Sequence, residues 1–270
     1  MRSKRTMARA ASFCTAVIAF SLLAAADGGN RAYAAGAADR YDAAVSNPAR
    51  PKEDLKRDPL DQPAEMLRLA GIKPGMHVAD LLAADGYYSE LVSYVVGPTG
   101  HVLMLNDAAF DSWSDGAWQA RIANNRLPNV EHRTIDFNKM NLDTGTLDAV
   151  LMVKIYHDLY AVDADPKSKW PKNINVGGVL DQVARALKPG GVLLVIDHSA
   201  KAGTGSTDAS ALHRVDEAFA RKDFEAHGFQ LIGQSNLLRK PQDKRDQISY
   251  KAPMLGKTDR FVLVYRKKAS

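Results

Sequence analysis

Three short strings in this 270-residue chain combine histidine with carboxylates: KIYHDLY (154–160), VLLVIDHSA (192–200) and LHRVDEA (212–218). Histidine takes and gives a proton near neutral pH, and a neighbouring acid can orient its ring. The first string offers Tyr156, His157 and Asp158, the second Asp197 and His198, and the third His213, Arg214 and Asp216. His213 and Asp216 stand three positions apart, a spacing at which both could share a helical face. The chemistry these types suit is general acid–base proton transfer. His157, His198, Tyr156 and Asp158 are the candidate catalytic group. A metal centre from His157, Asp197 and His198 has a plausible donor set but no supporting spacing of the HExxH kind, and no metal is expected.

Such groups work only if the fold gathers them. MHVADLL (76–82), HVLMLN (101–106), VEHRTID (130–136), LDAVLMV (147–153) and VLLVID (192–197) read as strands. YYSELVSYVV (87–96), GAWQARIANN (116–125) and VLDQVARAL (179–187) lie between them with helical spacing of apolar residues. VLLVID is apolar almost throughout, as in a strand covered on both faces. Alternating strands and helices predict a parallel sheet with helices on both sides. The end departs from this rhythm. After a helix over 214–228, FQLIGQSNLL (229–238) and RFVLVYR (260–266) follow with no helix between them, which predicts an antiparallel pair. The expected fold is therefore α/β and Rossmann-like, seven strands mostly parallel with a terminal antiparallel pair. The two ends of the fourth and fifth strands carry His157 and His198 to the same edge. Tyr87, Tyr88, Trp113, Trp118 and Trp170 are core or pocket aromatics, and the polar insert at 163–173 is placed to form a lid.

The start of the chain has the pattern of a secretory signal: Arg2, Lys4, Arg5 and Arg9, an apolar run over 10–26, then small residues at 32–34. The run is short for a membrane span. Three segments are expected: a signal peptide over 1–34, a loosely structured arm over 35–62 rich in proline and charge, and one domain over 63–270. Cleavage near Ala34 would send the mature chain to the periplasm, with no stable membrane insertion. The whole chain has 36 basic and 31 acidic residues; without 1–34 these become 31 and 30. A net charge near zero gives no reason to expect nucleic acid as a partner, and a small-molecule substrate is expected instead. Cys14, the one cysteine, lies in the leader, so the domain holds no disulfide, thiolate ligand or cysteine nucleophile. Nothing in the sequence fixes an oligomeric state.

The turn after the first strand is DLLAADGYYSE (80–90). GIKPGMHVADLLAADGYYSE, LKPGG ahead of the fifth strand and HGF after the last helix, in that order, resemble the class I S-adenosylmethionine-dependent methyltransferases over about residues 64–267. YHDLY, DHSA, LHRVDEA and GKTDRFVLVYRK resemble a subgroup of bacterial predicted methyltransferases with exported members. The resemblance implies S-adenosylmethionine as cofactor, bound outside the carboxyl ends of the strands. Its acid-x-Gly-x-Gly-x-Gly pattern falls on Asp80, Leu82, Ala84 and Gly86, so two of three glycines are replaced. It also implies cofactor contacts from Asp85 and Tyr87 in the turn, from Asn106 toward the ribose, and from Asp136 and Phe137 toward the adenine. Asp85 brings a negative charge near the expected cofactor carboxylate, or alternatively a partner for its ammonium or sulfonium.

Two functions follow. One is a methyltransferase with a small-molecule acceptor. The other is an exported, catalytically degenerate relative that binds another ligand or a partner, which the missing glycines and the export of a protein with a cytosolic cofactor favour. A nicotinamide oxidoreductase is disfavoured by the same missing glycines and by the terminal antiparallel pair.

Overall fold

In the computed structural model, which describes residues 39–163 and 167–268, seven strands form one sheet. They are β1 (His77–Leu81), β2 (His101–Asn106), β3 (Val130–Thr134), β4 (Leu147–Val153), β5 (Leu187–His198), β6 (Phe229–Ser235) and β7 (Arg260–Lys267), in the order β3-β2-β1-β4-β5-β7-β6. β1 to β5 pair in parallel, while β7 runs antiparallel to both β5 and β6. The order reverses between β1 and β4, and loops leaving both strands there diverge to opposite sides, opening a crevice.

The helices are α1 (Arg40–Val45), α2 (Asp58–Asp61), α3 (Pro63–Ala70), α4 (Tyr87–Val96), α5 (Ala108–Trp113), α6 (Ala117–Ile122), α7 (Val176–Ala186), α8 (Ala209–Leu212) and α9 (Glu217–Ala226). Strand alternation sorts the core into two layers. Val150 and Met152 of β4 and Leu193 and Val195 of β5 face a layer with Leu180, Val183 and Phe224 from α7 and α9. Ala149, Leu151, Leu194 and Ile196 face the other layer, with Met66, Leu67, Leu91 and Val92 from α3 and α4. Among the described residues no helix is long and apolar enough to cross a membrane.

Two expectations need correction. The described part of the arm is not loose: α1, a 3₁₀ turn at Asp54–Lys56 and α2 pack on the domain. Its charges have partners. Arg50 pairs with Asp58 at 2.8 Å, Arg121 with Asp54 at 2.7 Å and Arg260 with Asp61 at 2.5 Å. His213 and Asp216 do not share a helical face. His213 ends α8 in the left-handed region at φ 50°, and Asp216 caps α9 by accepting from the Ala218 amide. A carboxylate before a helix satisfies an otherwise unpaired amide, which outcompetes continuation of the helix. The leader at 1–34 lies outside the described residues.

Candidate functional site

The turn after β1 keeps left-handed backbone at three places with only one glycine among them. Leu82, Ala84 and Gly86 all have positive φ, at 52°, 54° and 81°. Only glycine adopts this region without strain; another residue costs about 1–2 kcal/mol. The turn is held in shape by Asn106 at the end of β2. Its amide group accepts from the Ala84 N–H at 2.9 Å and donates to the Ala84 carbonyl at 3.0 Å. Asn106 is fully buried, so its side chain braces the turn rather than presenting itself to a ligand. Leu82 points into the core. Because Ala84 is only half-buried and its methyl group is small, Ala84→Gly relieves strain at little packing cost. We expect it to raise the melting temperature by about 2 °C, on the scale of ~1 kcal/mol of relieved strain; an unchanged or lower value in calorimetry would show that the turn is relaxed.

Asp80 is buried and accepts from the Ser89 hydroxyl at 2.7 Å. Burial pushes its pKa up to about 7 despite that hydrogen bond. The charge of Asp85 is answered by Arg57 and Arg121, each at 3.4 Å. Tyr87 is covered by the arm: the Arg57 guanidinium lies 3.9 Å from its ring centre, and its hydroxyl donates to Asp58 at 2.6 Å. Asp107, beside Asn106, caps α5 through one carboxylate oxygen, and burial raises its pKa to about 6. Its other oxygen is buried with no hydrogen-bond partner, as is the hydroxyl of Tyr88. Asp136 is exposed and accepts from the Asn138 amide, while Phe137 is wholly buried against Trp170. These two therefore point to different places, one to solvent and one to the core.

Asp80, Ala84, Asp85, Tyr87 and Tyr88 line a hollow of about 190 Å³. It shares Arg57, Phe110 and Lys154 with a much larger cavity of about 1020 Å³. The large cavity lies over the ends of β4 and β5, with His157, Asp158, His198 and His213 in its wall. Its rim is apolar: Trp113, Val162 and Leu255 are exposed there. Of the insert at 163–173, residues 164–166 lie outside the described residues; Trp170 stacks on Trp113 and forms part of the cavity wall.

His157 is fixed by Asp197, the last acid of β5. One Asp197 oxygen lies 2.6 Å from His157 Nδ1 and the other accepts from the His157 backbone amide at 2.8 Å. His157 Nε2 faces Asp158 at 3.1 Å and His213 Nδ1 at 3.3 Å. Burial opposes a charge on His157, but the carboxylates of Asp158 and Asp197 outweigh it and push the imidazole up to about 10. His198 is the reverse case. Burial and the neighbouring charge of His157 hold its pKa well below the usual value, so at pH 7 it is neutral. Its Nδ1 bonds the Thr258 hydroxyl at 2.8 Å; in the tautomer whose Nδ1–H donates to Thr258, Nε2 is the proton-accepting atom. Two histidines alike in sequence are thus opposite in charge, and their environments decide it. Tyr156 stands apart from both. Its hydroxyl donates to Asp223 at 2.6 Å and its ring packs on Phe224, away from the cavity.

The site also holds a cationic group not expected from the sequence. Asp61 of α2 accepts from Lys154 at 3.1 Å and Arg260 at 2.5 Å, with Arg57 at 3.5 Å. Burial would raise its pKa, but these three cations hold it at about 2. Lys154 opens the KIYHDLY string and Arg260 begins β7, so both stood beside recognised signals. Arg57 and Asp61 had none, because their string reads as a polar arm.

No protein-family model matches this sequence, and a search of curated proteins finds no match. Solved structures do match. An S-adenosylmethionine-dependent methyltransferase from Aquifex aeolicus is 20% identical with a TM-score of 0.55, covering 81% of this chain and 98% of its own. The chain has a methyltransferase-type fold. An arsenic(III) S-adenosylmethionine methyltransferase from Chlamydomonas reinhardtii is 15% identical at TM-score 0.55, covering 87% of this chain and 75% of its own. The (4+2)-cyclase SpnF is 13% identical at TM-score 0.53, covering 77% of this chain and 82% of its own. At these identities the likeness is one of fold, and the cyclase illustrates that one fold hosts several chemistries.

Proposed function

We propose that this chain is an S-adenosylmethionine-dependent methyltransferase acting on a small-molecule acceptor. The observation that carries this reading is the turn after β1, which keeps left-handed backbone at all three glycine places of the family pattern. Strain of this kind persists where the surroundings enforce it, and it concentrates at ligand sites. The resemblance of YHDLY, DHSA and LHRVDEA to exported bacterial relatives, with the leader-like start, supports action outside the cytoplasm.

The residues around the turn suit the cofactor. Asp80 and Asp85 are the carboxyl groups that line the hollow toward its cationic end, and Arg57 and Lys154, though paired with Asp85 and Asp61, are the cations that line it toward its carboxylate. The unpaired buried hydroxyl of Tyr88, in the wall of the hollow, is a place for a polar ligand atom. When bound, S-adenosylmethionine supplies an electrophilic methyl group. The rest falls to the chain. Trp113, Trp170 and Leu255 hold an apolar or aromatic acceptor body and exclude water. His198 Nε2 takes the acceptor's proton, and Asp197 holds His157 rigidly behind it.

The test is calorimetric titration of S-adenosylmethionine and of its demethylated product. We expect micromolar binding of both and at least about a tenfold loss in Asp80→Asn. The cationic cofactor favours ionised Asp80, so affinity should rise between pH 6 and pH 8 with release of a proton. Absence of binding at millimolar ligand overturns the proposal.

A further inference from the structure

The wall of the large cavity carries a set of donor atoms that the proposed methyl transfer does not use. His157 Nε2, Asp158 Oδ1 and His213 Nδ1 form a triangle with edges of 3.1, 3.2 and 3.3 Å. We propose that these three atoms bind one divalent transition-metal ion of the zinc or iron(II) class, with its remaining positions open to the cavity.

The geometry is the first argument. Ligand atoms about 2.0–2.1 Å from one ion stand about 2.8–3.4 Å apart when the angle between them runs from octahedral to tetrahedral. All three edges fall inside that window. Two imidazoles and one carboxylate are a donor set that suits these ions, and three ligands on one side leave the opposite side free.

The second argument is the support behind the ligands. A metal-binding histidine characteristically donates its other ring N–H to a carboxylate, which fixes the tautomer and aims the lone pair at the ion. His157 has that arrangement. Its Nδ1 lies 2.6 Å from Asp197, a wholly buried acid that also holds the His157 backbone amide. With Nδ1 so engaged, Nε2 is the ring atom turned toward Asp158 and His213, and an ion bound there takes the place of the Nε2 proton of the charged imidazole. His213 is aimed by backbone and packing. It stands at φ 50°, its amide donates to Ala209, and Tyr250 meets its ring edge-on at 4.6 Å.

The third argument is access. All three ligands line the cavity of about 1020 Å³, so an ion there would meet an oxygen or nitrogen donor of a molecule occupying it. His198 is not a ligand: its ring centre is 5.9 Å from that of His157, and its Nδ1 is bonded to Thr258.

Metal binding is measured without S-adenosylmethionine, so this inference stands or falls separately from the proposed activity. Purified protein is stripped with chelator and titrated with Co²⁺, followed by visible absorption, and then with Zn²⁺ by calorimetry. One equivalent is expected for each. His213→Ala and Asp158→Ala should weaken binding by more than about 100-fold, and Asp197→Asn by about 10–100-fold. His227→Gln, at a surface histidine paired with Asp181, should bind within about twofold of the parent. Circular dichroism keeps folding separate from affinity. Absence of stoichiometric binding by the folded parent overturns the proposal. So does a folded His213→Ala that binds as tightly as the parent, or a loss found only in His198→Gln.

Discussion

Arg121→Met should lower the stability of the domain by about 3–5 kcal/mol, because it strands buried charges rather than removing a surface contact. The Arg121 guanidinium is buried and reaches Asp54 at 2.7 Å and Glu90 at 2.5 Å, and it also donates to the Asp85 carbonyl. Glu90 has no exposed side-chain surface; Arg126 and Tyr94 also hold it. Asp54 is equally buried and depends on Arg121 for its hydrogen bonds. In a domain of this size the loss corresponds to about 10 °C or more in melting temperature. The network joins three separate parts of the chain: the arm through Asp54, the turn through Asp85 and α4 through Glu90. The variant should therefore also loosen the arm, visible as earlier proteolytic cleavage within residues 39–62. Arg121→Lys, which keeps the charge but loses the forked geometry, should fall between parent and methionine variant. A loss below about 1 kcal/mol in urea unfolding would mean that the arm is held by other contacts.

Asp80→Asn should have the opposite effect on stability, and only above pH 5. The folded pKa of Asp80 is raised to about 7 by burial, against about 3.9 for an aspartate in an unfolded chain. The folded state therefore holds the proton more tightly than the unfolded state. Its contribution is fully present below about pH 4 and is lost as the pH rises to 7, where the buried carboxylate has ionised. At pH 8 the accumulated cost is about 4 kcal/mol, three units at 1.36 kcal/mol each. Asparagine still accepts the Ser89 hydroxyl without carrying a charge. Parent and variant should have similar stability at pH 4.5 and diverge steadily toward pH 8, the variant being the more stable. Parallel stability curves over that range would remove the basis for assigning Asp80 a raised pKa. A carboxyl group kept at such a cost at the end of β1 supports the ligand-binding role proposed for Asp80. The gain in stability should accordingly come with the loss of cofactor affinity expected above.

The frame of the molecule was legible in the sequence because its signals are local. LDAVLMV is β4 to the residue, VLLVID lies within β5, and RFVLVYR is β7 less its last residue. Period-2 burial and the helical spacing in YYSELVSYVV are properties of a few consecutive side chains. The antiparallel finish was legible for the same reason, since no helix separates 238 from 260. The sequence also brought His157 and His198 to one edge, because both follow strands of the same parallel sheet.

What each residue does there was decided by partners far away in the chain. Asp197 meets His157 across 40 residues, His213 meets it across 56, and Arg260 meets Asp61 across 199. These contacts make one histidine a cation and keep its neighbour neutral, turn Tyr156 away toward Asp223, and convert a polar arm into the cover of the glycine-poor turn. Asn106 spends its amide on Ala84 for the same reason: β2 lies beside β1, which no local pattern around either residue encodes. Burial periodicity is written residue by residue, so the sequence by itself determined the strands, the main helices between them and their order. Charge and hydrogen bonding depend on distance through space, so the opposite charges of His157 and His198, the clamp on the turn and the triangle of His157, Asp158 and His213 were settled only when the chain closed on itself.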